Sequence, residues 1–102
     1  MPASDADLTA AYLRVRGMRR RALGAVIRAA REKSGLSQVE LAAVTGISRH
    51  TLSRLENGAG DLIMSRFWDL AIALGTTPAD LMAQAQAEPG TLDNPPRTRA
   101  DQ

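Results

Sequence analysis

The chain has 102 residues, 44% hydrophobic and 3% aromatic, with no cysteine, one histidine and a formal charge of +2. That length holds one domain, and a core with so few aromatics must be built from Ala, Leu, Ile, Val and Met, which suits packed helices better than a sandwich or barrel. The composition excludes a disulfide scaffold, a thiolate metal or iron–sulfur site, a cysteine nucleophile and a multi-histidine metal centre, and no apolar run approaches the roughly 20 residues that span a bilayer.

Ser4-Asp5-Ala6-Asp7 has the S-x-x-D form of a helix capping box. Leu8, Ala11, Tyr12, Val15 and Met18 then recur at three- and four-residue steps. The acidic start has no apolar stretch of the kind a secretory signal needs, so an intracellular, cytoplasmic protein is expected. The periodicity continues through Ala22, Leu23, Val26, Ile27 and Ala30 to Ser34-Gly35, where Gly35 suits the left-handed position that ends a helix. Residues 7–34 read as one long helix or as two hinged near Gly17, since a mid-helix glycine costs about 1 kcal/mol relative to Ala. Residues 1–36 carry eight basic and three acidic groups, a net +5, against zero over 37–58 and −3 over 59–102. Such asymmetry points to a polyanion, nucleic acid or a membrane surface, or else to a solvated basic helix face.

Ser37 and Glu40 form a second capping box, ahead of a short helix from Gln38 to about Val44. Thr45-Gly46-Ile47 is a turn. Ser48 caps the next helix, about Arg49 to Glu56, with Leu52 and Leu55 facing inward, and Asn57-Gly58 ends it. A helix follows from about Met64 to Leu74, with Phe67, Leu70, Ala71 and Leu74 on its buried stripe and Trp68 beside it. Thr77 as N-cap and Pro78 at the first helical position open a last helix that packs Leu81 and Met82 inward. From Glu88 the Pro-, Gly- and polar-rich composition reads as a disordered tail.

The segment Ser37–Gly58 carries the chemistry. Two helices joined by a glycine turn form a helix-turn-helix unit. On its second helix Arg49, His50, Ser53 and Arg54 lie away from the apolar stripe. They supply donors able to read base edges, Arg by bidentate bonds to guanine. The Ser37-Gln38 end of the first helix can bond phosphate oxygens. The lone histidine has no Ser or Cys nucleophile in a recognisable arrangement, and no acidic pair has catalytic spacing. Neither enzyme activity, nor a cofactor, nor a metal is expected.

The residues Leu36-Ser37-Gln38, Glu40-Leu41-Ala42, Gly46-Ile47-Ser48, Leu52 through Gly58, Leu70-Ala71, Ala73-Leu74-Gly75 and Leu81 resemble the Xre-type helix-turn-helix family, which includes phage repressors and Cro proteins. The resemblance covers about residues 23–84. It implies an all-α, compact five-helix repressor-like DNA-binding domain over 21–86, with the helix-turn-helix unit at about 37–57. An extra N-terminal basic helical extension over 1–20 and a flexible tail over 87–102 flank it. It assigns base reading to Arg49, His50 and Arg54, and backbone or supporting contacts to Ser37, Gln38, Ser48, Ser53 and Asn57. Arg31 and Glu56 fall where many members hold a structural ion pair. Most members begin near the first core helix, so the role of the preceding residues does not carry over; a DNA-contacting arm, a dimerisation helix and a packed extension all stay open.

The expectation is therefore a sequence-specific transcriptional regulator, a repressor, that binds an inverted-repeat operator in double-stranded DNA as a homodimer. The alternatives are an antitoxin that binds a cognate toxin and autoregulates its operon, and a protein-interaction module that has lost DNA binding. Membrane-surface binding through the basic extension is a third option, although no membrane partner is expected.

Overall fold

A computed structural model describes residues 5–95 of the chain. Five helices and no strand occur among them: α1 (Asp5–Lys33), α2 (Gln38–Thr45), α3 (Arg49–Glu56), α4 (Met64–Ala73) and α5 (Pro78–Gln86). The all-α class and the five helices that the family resemblance implied are what the fold contains. Ser4, the expected cap of α1, lies outside the described residues. So do residues 96–102 of the expected tail.

Of the two readings of residues 7–34, the single helix is the one observed. α1 runs unbroken for 29 residues, a length of about 44 Å at 1.5 Å per residue. Gly17 sits inside it without a break. The α1 stripe packs on both α3 and α5, while α2 packs on α3 and α4, and α4 also contacts α5.

The core follows the predicted stripes. Ile27, Leu41, Ile47, Leu52, Leu55, Leu70 and Leu74 form one buried cluster, and Phe67, Ala71 and Leu81 a second. Leu23, Ala30 and Leu62 touch both clusters and join them. Met82, expected to pack inward, is instead 47% exposed. It lies one residue past the fully buried Leu81, and a 100° step carries it off the buried face of so short a helix.

Side-chain caps open α2 and α5. Ser37 Oγ accepts from the Glu40 amide at 3.0 Å while Glu40 Oε1 accepts from the Ser37 amide at 3.2 Å, completing the predicted box. Thr77 Oγ1 accepts from the Asp80 amide at 3.1 Å, with Pro78 beginning α5. After α5, residues 88–93 form turns in which Thr91 is buried and bonds the carbonyls of Gln86 and Glu88. Arg19 of α1 donates to the carbonyls of Thr91, at 2.7 Å, and of Asp93.

The tightest approach lies where α1 crosses the end of α3. A Cβ on Gly24 would stand 2.2 Å from the Leu55 carbonyl oxygen and 2.9 Å from that of Glu56. Only hydrogen at residue 24 lets the two backbones meet. Gly24→Ala is therefore expected to destabilise the domain by about 1–3 kcal/mol, the range for an overpacked core. Gly17→Ala, whose Cβ meets only the mobile end of Arg21, is expected to stabilise it by roughly 0.5–1 kcal/mol. Thermal denaturation of the two variants measures both signs.

Candidate nucleic-acid interface

The helix-turn-helix geometry depends first on the turn. Gly46 adopts φ 73°, a left-handed conformation closed to most residues, and its amide returns to the Ala42 carbonyl at 2.8 Å. Thr45 Oγ1 donates to the Leu41 carbonyl and accepts from the Ile47 amide, which fixes the path into Ser48. Arg66 of α4 holds the same corner by donating to the Thr45 carbonyl at 2.7 Å. Ile47 is buried and anchors the turn in the core.

α3 then begins at its cap. Ser48 Oγ accepts from the Thr51 amide at 3.1 Å and donates to Thr51 Oγ1 at 2.9 Å. Leu52, Leu55 and Glu56 are buried, and these positions set the inward direction. Each residue turns the helix by about 100°, so His50 and Arg54 project opposite the core, flanked by Arg49 and Ser53 on one side and Thr51 on the other. Arg49, His50 and Arg54 are exposed, and Ser53 is half-buried.

A buried ion pair fixes the inner side of the unit. Arg31 of α1 grips Glu56 with two parallel bonds of 2.8 Å, Nε to Oε2 and Nη2 to Oε1. Its third donor, Nη1, reaches the Leu36 carbonyl at 2.9 Å. The hydrogen bonds from Arg31 to Glu56 also hold the guanidinium more firmly in its charged form. This is the pair that the family resemblance implied, and its exposure is 13% at Arg31 and 3% at Glu56. Gln38 Nε2 donates to Glu56 Oε1 at 3.3 Å, so the amide assigned to the phosphate backbone is tied to the same carboxylate. The hydroxyls of Ser37 and Ser48 serve as helix caps, and Asn57 is exposed at the C-terminal end of α3.

The Arg54 guanidinium on the outward face is already engaged. Its Nη2 donates to the Ala59 carbonyl at 2.6 Å, which braces the loop after α3. Beside it lies a polar cleft of about 410 Å³ lined by Arg20, His50, Thr51, Arg54, Gly60 and Asp61. Arg20 belongs to α1 and forms an ion pair with Asp61. The Arg20 guanidinium, through its hydrogen bonds, holds the Asp61 carboxyl below the usual carboxylate range, and Arg16 adds to the effect. Sequence reasoning missed Arg20 and Asp61 because they lie 41 residues apart and share no local pattern. The only signal for Arg20 was the basic excess of the first 36 residues, and Asp61 had none.

Removing one member of the Arg31–Glu56 pair leaves the other without its counter-charge in a nearly dry site. Glu56→Ala is expected to cost about 3–5 kcal/mol of unfolding free energy in urea denaturation. Exchanging both residues together for Leu and Met is expected to recover much of that loss.

No helix among the described residues is long and apolar enough to cross a membrane. A search of curated proteins found no match. Among solved structures, two crystal structures of the clp gene regulator ClgR from Corynebacterium glutamicum are similar. Each is 33% identical with a TM-score of 0.65 over 68% of this chain, covering 88% of one solved chain and 73% of the other. The sequence matches the Helix-turn-helix family HTH_3 over residues 27–81, which runs from the buried Ile27 of α1 to the buried Leu81 of α5. With more than half of its length matched, the chain belongs to this helix-turn-helix family.

Proposed function

We propose that this protein is a sequence-specific double-stranded DNA-binding transcriptional regulator that inserts α3 into the major groove. The observation that carries the reading is the division of α3 into two faces. Leu52, Leu55 and Glu56 are locked into the core, while Arg49, His50 and Arg54 are presented to solvent. A helix so anchored supplies rigid donors for base edges, which is what direct readout requires. Arg49 and His50 at its first turn read bases, and Arg54 joins them by exchanging the Ala59 carbonyl for a base. Ser48, Ser53 and Asn57 serve as groove or backbone contacts, with Ser37 and Gln38 at the start of α2. The likeness to a gene regulator supports the regulatory role. Occupancy of the operator gives repression.

The protein acts as a homodimer, and an apolar stripe on α4 supports this. Met64, Trp68 and Ile72 follow at four-residue steps and are 84%, 62% and 58% exposed. Met64 and Trp68 also line a groove of about 390 Å³ whose walls include Leu62, Phe67, Pro78 and Met82. An exposed apolar surface of this kind on a small domain marks an association site. Arg20, Gly60 and Asp61 border both this groove and the cleft beside α3. The reading places a second copy there with both α3 helices on one side, as two half-sites about one helical turn apart demand.

Selection from a pool of random duplex DNA tests the reading directly. The expected result is an enriched inverted repeat; binding that enriches nothing and vanishes with salt would sink it. On the selected site, Arg54→Ala is expected to cost about 1–3 kcal/mol, and much less on random duplex. Equal losses on both would remove Arg54 from base reading. Trp68→Glu is expected to shift the protein from dimer to monomer in sedimentation equilibrium.

A further inference from the structure

We propose that Arg20, in the extension that precedes the matched family region, grips a backbone phosphate of the bound duplex and so widens the DNA-binding surface from α3 onto α1. The proposal rests on the DNA-binding reading above. The polar cleft joins three segments: α1 through Arg20, α3 through His50, Thr51 and Arg54, and the following loop through Gly60 and Asp61. The cleft is thus continuous with the outward face of α3, and a duplex seated on that face passes its mouth.

The chemistry of the Arg20 contact identifies the ligand. Arg20 holds Asp61 in a fork, Nε to Oδ1 at 3.1 Å and Nη2 to Oδ2. A guanidinium fork fits the paired oxygens of a carboxylate and of a phosphate equally well. Asp61 therefore occupies the place a phosphate takes. Its side chain is 63% exposed, and an ion pair this open is weak and readily exchanged. Arg20 and Arg54 in the cleft, with Arg16 close enough to act on Asp61, outnumber the single carboxylate. The local field therefore favours an incoming anion. When phosphate displaces Asp61, the freed carboxylate turns to solvent.

Binding of the full chain to a selected duplex and to random duplex, each across a salt series, tests this. For Arg20→Ala the expected result is a several-fold loss of affinity on both DNAs. The slope of log K against log salt should become shallower by about 0.9, the value for one phosphate. Arg20→Lys is expected to restore the slope. Asp61→Asn, which frees the fork, is expected to tighten binding to both DNAs several-fold. If the alanine variant does not fold, Arg20→Gln and Asp61→Asn decide the matter. An unchanged salt slope without Arg20, or weaker binding by Asp61→Asn, overturns the proposal while leaving α3 readout intact. A wild-type chain that binds no duplex at any salt overturns both readings together.

Discussion

One carboxylate holds the DNA-facing unit together. Glu56 closes α3, yet it takes both bonds of Arg31 from α1 and the amide of Gln38 from α2. Arg31 in turn binds the Leu36 carbonyl between the first two helices. The relative placement of three helices and one loop thus meets at a single buried group. Such pairs add little net stability over an apolar replacement, but they fix geometry, because each bond is directional and a broken one leaves a buried charge. For the base readout proposed above, fixed geometry matters more than added stability.

Much of this was legible in the residues. Ser37 with Glu40, Gly46, Ser48, and Thr77 with Pro78 are local signals, and each acts through neighbours within four positions. The chain places them as read. The Arg31–Glu56 pair spans 25 residues and was reached through family resemblance rather than spacing. What spacing could not reach was contact across the fold. Gly17 drew notice as a glycine within a helix, although only the flexible end of Arg21 approaches it. Gly24 drew none, although α3 passes against it. The two are alike along the sequence and differ only in what lies opposite.

The arginine run of α1 makes the same point. Along the chain Arg19, Arg20 and Arg21 look like one charged face. In the fold they divide. Arg19 binds the turns after α5, Arg20 meets the loop after α3, and Arg21 lies against Gly58, whose added Cβ would stand 2.6 Å from its Cγ. Three adjacent residues on a helix point about 100° apart, so a basic run near a helical core need not be one electrostatic patch. The charge asymmetry left a polyanion partner and a solvated helix face both open, and it could not say where each cation lies in the fold.

The clip between Arg19 and the turns after α5 sets the smallest piece of chain that keeps this fold whole. The family match ends at Leu81 and α5 ends at Gln86, which makes Gln86 an inviting point for truncation or fusion. A cut there removes the carbonyls that receive Arg19 and strips Thr91 and Leu92 from a pocket also walled by Leu23, Met82 and Ala85. Apolar surface at the seam of α1 and α5 would then open to water and become sticky. A fragment or tagged version that behaves like the parent must carry the chain through Asp93, with the junction placed after it.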